Sequence, residues 1–277
     1  MPPSHNLQNR YCTQAQDGYL ESSIRKRAGK VPKVKWLEIL AMQFMQVDLT
    51  VLVAYQLSSL STSQPRVRTL VHREFLSAAN RPLLLATTDI RTPKAQQIAN
   101  SPSVEIAWWL ADAQEQFRIC GTAYILPSPD FPSPDDPLTG GTGKLGEKER
   151  EDVVDAATSL RDSFSKAGLA GNNYDWESKR VETFEAMSGH MRASWARPVP
   201  GTTMNSYDTA KEWPESLPKL SEAEGEEKRL VQRAMRNFAL VVIDPLVVDH
   251  VELGVVPNQR TLYTKKGDEW QAQILVP

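Results

Sequence analysis

Residues 83–102 read LLLATTDIRTPKAQQIANSP. An unbroken apolar run, Leu83 to Ala86, passes through Thr87 and Thr88 into a turn that holds two cations, Arg91 and Lys94. From Pro93 the spacing becomes helical until Ser101-Pro102 stops it. A strand that is apolar at every position predicts cover on both faces. A helix that opens where such a strand ends leaves backbone N–H groups without partners. Hydroxyls and an ammonium gathered around those amides outline an anion site.

Charged turns are commonly just solvated, so the neighbouring sequence decides. PRVRTLVHREF (65–75) predicts a strand with Pro65 at its entry. Period-two geometry sets Arg66, Arg68 and His72 on one face and Arg73, at the far end, on the other. Two adjacent strands that offer guanidinium and ammonium groups suit a phosphate monoester, which arginine binds bidentately and lysine as a point charge.

Working outward, Trp36, Leu37, Leu40, Ala41 and Phe44 predict a helix ending near Gln46, and VLVAYQL predicts a strand. VEIAWWL and EQFRICGTAYIL form an antiparallel pair turned at Asp112 to Gln114, with Gly121 marking a bulge. Pro127 to Gly146 is a surface loop, rich in Pro, Gly and Asp. In EREDVVDAATSLRDSF the apolar face of a helix is Val153, Val154, Ala157, Leu160 and Phe164. Residues 198–220 are irregular, EAEGEEKRLVQRAMRNF is a helix, and ALVVIDP, VVDHVEL and TLYTKKGDEWQAQILV predict three strands, the last pair joined through Lys266-Gly267-Asp268. The expectation is an extension over residues 1–30, then one domain over 31–277 with inserted loops at about 127–146 and 198–220. Its class is α+β, a mainly antiparallel barrel or sheet with peripheral helices.

Several function classes fall away. The 277 residues carry 32 basic and 34 acidic side chains, a net charge of −2, so neither nucleic acid nor an anionic membrane is expected as partner. Met1 to Arg10 lacks the pattern of a secretory signal. The most apolar window, from Trp36, contains Glu38, Gln43, Gln46 and Asp48, which suits a buried helix and strand better than a membrane span. Cys12 and Cys120 fit neither a disulfide framework nor a zinc site, which points to a reducing, cytoplasmic compartment. His5, His72, His190 and His250 lack metal-ligand spacing, so no metal is expected. GGTGKL (140–145) has Leu138 and Leu145 where a phosphate loop needs Gly and Ser or Thr.

RTLVHR (68–73), LATTDIRTPKAQQI (85–98), EQFRICGTA (115–123) and VEL…RTLY…W…LVP (251–277) together resemble, in order and spacing, the pyridoxamine 5′-phosphate oxidase-like family of FMN-binding split barrels. The tryptophan pair of VEIAWWL and the segment RASWARPVPG are most similar to its fungal and cyanobacterial branch. The resemblance implies a six-stranded Greek-key split barrel, a homodimer with FMN in clefts between subunits, and an oxidoreductase acting on a small-molecule substrate. It implies that Arg68, Thr69, Leu70, Val71 and Arg73 lie along the flavin, Arg68 on its phosphate. Lys94 would be a second phosphate ligand, Thr87 and Thr88 backbone contacts, and Gln116 and Arg260 ring contacts. A core role or a flavin role would equally account for Trp108 and Trp109 as a buried pair. The family's vitamin B6 oxidases carry Arg-x-His-x-Arg near the C-terminus. Here Val256 and Asn258 replace the first two, and Gly254 stands where those enzymes have tryptophan. A buried substrate phosphate facing valine would cost several kcal/mol. Flavin binding with an unspecified substrate is therefore the leading expectation; the alternatives are vitamin B6 salvage and a flavin-binding protein without turnover.

Overall fold

The computed structural model describes residues 34–46, 54–78, 81–132, 147–169 and 174–277. The expectations for residues 1–30, for GGTGKL and for most of the 127–146 loop lie outside these.

Helix α1 (Lys35–Gln46) leads into β1 (Ala54–Ser61), β2 (Gln64–Val71), β3 (Glu74–Ala78) and β4 (Arg81–Asp89). After α2 (Pro93–Asn100) come β5 (Ser103–Leu110) and β6 (Glu115–Leu126). Three helices follow, α3 (Glu147–Lys166), α4 (Trp176–Glu185) and α5 (Gly189–Ser194), then a short 3-10 helix (Tyr207–Glu212) and α6 (Gly225–Asn237). The chain closes with β7 (Phe238–Glu252), β8 (Gln259–Lys266) and β9 (Glu269–Ile274). The expected α+β class with a mainly antiparallel sheet is what the chain forms. Among the described residues the sheet has nine strands rather than six, in the order β2-β1-β5-β6-β7-β4-β3 with β8 and β9 branching from β7, and the path is open.

β7 is the strand on which the barrel splits. Its first half, Phe238 to Ile243, pairs with β4, and its second half, Val247 to Glu252, pairs with β8. The change of partner falls at Pro245, which has no N–H to donate. There the register with β6 shifts between Cys120 and Gly121, the bulge expected at Gly121. A methyl group on Gly121 would run into the carbonyl of Asp244. ALVVIDP and VVDHVEL, read from sequence as separate strands, are thus one. The opposite correction applies to PRVRTLVHREF: β2 pairs with β1 and β3 with β4, and the chain breaks at His72–Arg73 as it crosses between them.

β4 and the first half of β7 form a wall between two cores. Leu84, Ala86, Ala239, Val241 and Ile243 face a core with Trp36, Tyr55, Trp108 and Phe117. Leu83, Leu85, Phe238, Leu240 and Val242 face a second core with Phe164, Trp176, Phe184, Trp195 and Val231. This two-sided burial is why LLLATT is apolar without alternation. β5 instead alternates: Trp108 is fully buried and Trp109 is 45% exposed, so the two do not form a buried pair. On α3 the inward residues are Ala157, Leu160 and Phe164, while Val154 is exposed.

Candidate functional site

The turn after β4 is organised by Asp89. Its carboxylate accepts from the Arg91 amide at 2.9 Å and from Arg91 Nε and Nη2 at 3.0 and 2.6 Å. Its carbonyl accepts from Thr92 Oγ1 at 2.8 Å and Thr88 Oγ1 at 3.1 Å. Arg91 also donates to the carbonyls of Trp195 and Arg197, which pins the end of α5 to the turn. Arg91 is therefore ion-paired and anchored through Nε and Nη2, and Thr88 is buried with its hydroxyl engaged.

Lys94 differs. It sits in the first turn of α2, whose N-cap Thr92 makes no side-chain capping bond. Its ammonium has no hydrogen-bond partner among the described residues. Burial, and then the charge of Arg68, pulls its pKa down to about 8, with Asp89 opposing. One helical turn on, Gln97 Oε1 accepts from Arg68 Nη2 at 2.7 Å and from Ser59 Oγ at 2.9 Å, and Arg68 Nη1 donates to Ser59 Oγ at 2.5 Å. Arg68 is held by neutral oxygens alone, and burial followed by the charge of Arg66 lowers its own pKa. Two cations thus meet at one corner of β1, β2 and α2 without a carboxylate between them. An uncompensated cationic pair in partly desolvated surroundings is an anion site in its electrostatics.

The other residues named from sequence fall elsewhere. Thr69 and Val71 are on the outer side of β2, Leu70 is buried, and Thr87 is half-buried opposite Leu240. Arg66 is exposed, donating to Gln64. His72 shares the parity of Arg68, yet it lies in the barrel interior with the rings of Phe75, Trp108 and Tyr55 at 4.3, 5.1 and 6.5 Å. Burial, then Arg73, pushes its pKa down to about 3. The Arg73 amide donates to Leu85 at the crossing into β3.

Gln116 stands between Trp109 and Val251, and Val251 in turn opposes Arg260, so these four share one outward-facing row across β5 to β8. Arg260 donates to Asp249 through Nε at 3.0 Å and Nη2 at 2.9 Å, and Arg118 donates to the same carboxylate. Among the described residues no hydrogen bond or ion pair joins this row to the Arg68–Lys94 corner. Sequence reasoning missed Ser59 and Gln97; the signal for Gln97 was its place one helical turn after Lys94.

Residues 33–127 match the family model described as pyridoxamine 5′-phosphate oxidase, FMN-binding domain. A pyridoxamine 5′-phosphate oxidase-related, FMN-binding protein from Nostoc punctiforme has a similar structure, at 23% identity and a TM-score of 0.60, covering 88% of this chain and 98% of its own. PhzG from Burkholderia lata, solved with tetrahydrophenazine-1-carboxylic acid, aligns at 12% identity and a TM-score of 0.47, over 97% and 98% of the two chains. None of the curated proteins compared with the chain matches it in sequence. Residues 33–127 thus match the pyridoxamine 5′-phosphate oxidase FMN-binding-domain model, and the chain has the fold of those split-barrel proteins, here with an open sheet.

Proposed function

We propose that this chain is an FMN-binding flavoprotein, an FMN-dependent oxidoreductase whose Arg68–Lys94 corner holds the flavin phosphate. The observation that carries the reading is Lys94, a half-buried lysine beside a second cation, with no hydrogen-bond partner among the described residues. A phosphate dianion would accept from it and from Arg68, and the N-terminal end of the α2 dipole would add stabilisation. Bound FMN would supply hydride and electron transfer at its ring. Gln97 and Ser59 hold the Arg68 fork in place from behind, and Thr69, Val71 and Arg73 offer backbone along the cofactor. Gln116 and Arg260, on their separate row, are the proposed ring contacts. Asp249 holds Arg260 in a fixed orientation and neutralises it.

A second copy of the chain is the proposed partner, bringing the row of one protomer to the corner of the other. Trp109, Val256, Ile274 and Val276 are 45%, 98%, 87% and 86% exposed, large apolar side chains of the kind subunit contacts cover. No helix among the described residues is long and apolar enough to cross a membrane, and we place the dimer in the cytoplasm. The substrate is a small molecule other than a vitamin B6 phosphate, since exposed Val256 and Asn258 offer no charge where such a phosphate would sit. Titration of the purified protein with FMN, followed by flavin fluorescence, tests the reading. Saturable binding that Lys94→Ala weakens supports it, and equal affinity of both proteins overturns it.

A further inference from the structure

A separate polar group lies on the inward face of the β6–β7 ladder, at the end where Glu115 opposes Glu252 and, two residues along, Phe117 opposes His250. Both carboxylates and the imidazole therefore share one face. His250 is 1% exposed, and its ring stacks on Phe117 with centroids 4.2 Å apart and planes 13° apart, which fixes its plane. Glu115 Oε2 lies 2.8 Å from Nε2. Glu252 Oε2 lies 3.9 Å from Nδ1, beyond hydrogen-bond reach, and buried Nδ1 has no hydrogen-bond partner among the described residues. One ligand atom from each of the three lies within 4.8 Å of the other two.

We propose that His250 Nδ1 and Glu252 ligate a divalent first-row cation such as zinc at the end of β7, with Glu115 of β6 holding the imidazole from its other nitrogen. A carboxylate that accepts from Nε2–H sets the tautomer in which Nδ1 carries a lone pair, an arrangement common around metal-bound histidine. Nδ1 and the Glu252 carboxylate are separated by 3.9 Å, a gap too wide for a proton to bridge and suited to a cation. Two carboxylates supply the charge a buried dication requires, and a nitrogen among the donors favours zinc or its neighbours over calcium and magnesium. Sequence spacing gave no hint of it because Glu115 and His250 lie 135 positions apart.

The test is calorimetric titration of the full-length protein with Zn²⁺, alongside Co²⁺ absorption spectra. The expected result is one equivalent bound per chain, d–d bands of a low-coordinate cobalt site, and a raised melting temperature. Glu252→Gln should weaken binding by at least ~10-fold and abolish the thermal shift. Glu252 is at the partly exposed rim, so this variant serves even if His250→Gln fails to fold. Zinc binding equally tightly to wild type and Glu252→Gln, as adventitious binding at Cys120 or His190 would give, overturns the proposal. So does the absence of binding, which is the result if a water bridges Nδ1 and Glu252.

Discussion

Arg91 and Lys94 stand three positions apart in one turn, and the fold treats them oppositely. On the Arg91 side the cation is closed off: both Asp89 oxygens and two carbonyls accept from it, and its side chain is 4% exposed. The helical layer behind follows the same rule. Lys179 meets Glu74 at 2.6 Å, Arg180 meets Glu177 at 2.7 Å while capping α6 carbonyls, and Arg192 donates to the carbonyls of Leu217, Pro218, Glu185 and Met187. On the Lys94 side neither cation makes an ion pair among the described residues, and Arg68 donates only to neutral oxygens. Where buried charge is paired it organises loops; where it is left unpaired, the free protein carries a cost that an anion relieves.

The double variant Arg68→Ala/Lys94→Ala strikes the open side. Each charge-assisted contact is worth roughly 1.5–3 kcal/mol, so FMN affinity should fall by about two to four orders of magnitude while the melting temperature holds or rises. Fluorescence titration reads the first and a thermal scan the second; a preparation that stays yellow at wild-type affinity removes the assignment. Arg91→Met strikes the closed side. It strands the Asp89 carboxylate and should cost about 3–5 kcal/mol of stability, measured by urea denaturation, with a much smaller change in FMN affinity per folded molecule. If Arg91→Met instead reduces affinity as much as Lys94→Ala does, the contrast within the turn is lost.

Gly121→Ala asks whether the bulge is structurally required. With the Asp244 carbonyl against the new methyl, about 1–3 kcal/mol of destabilisation is expected, and unchanged denaturation would mean that β6 has room to yield. The most gradual effect is in pH. The pKa of Lys94 in the free folded protein, about 8, lies below its ordinary 10.5. Between those values the unfolded chain holds the proton and the folded chain does not, so stability of the free protein should rise with pH across that window. Phosphate favours the ammonium, so binding takes up a proton there. FMN affinity should be full below about pH 8 and fall above it by up to about 1.4 kcal/mol per pH unit. Opposite slopes for stability and affinity, both absent in Lys94→Ala, are the signature; parallel slopes would point to a different titrating group.

Much of this corner was legible in sequence because local rules governed it. The β4 run, the helix opening at Pro93 and the position of Lys94 follow from periodicity and capping over twenty residues. What escaped was set by distant partners. Arg91 reads as a second free cation; Asp89, two positions away, pairs with it, and the Trp195 and Arg197 carbonyls that complete its surroundings come from more than a hundred positions away. Helices α4 and α5 went unread because Trp176, Phe184 and Trp195 show a common face only against the β4–β7 wall. Both strand misreadings fall where the chain changes neighbours: at His72–Arg73 the change breaks the strand, and at Pro245 it does not. Hydropathy reports which faces are covered, and is silent on which strand does the covering.

The wall also separates the stretch that matches the family model from the unit that folds. The matched segment, 33–127, holds β6 and β4 yet lacks β7, the strand hydrogen-bonded between them. Produced alone, that segment would present two raw apolar edges and bare Leu83 and Leu85, and should associate rather than fold. The last forty residues are as much the centre of this molecule as the motif that identifies it.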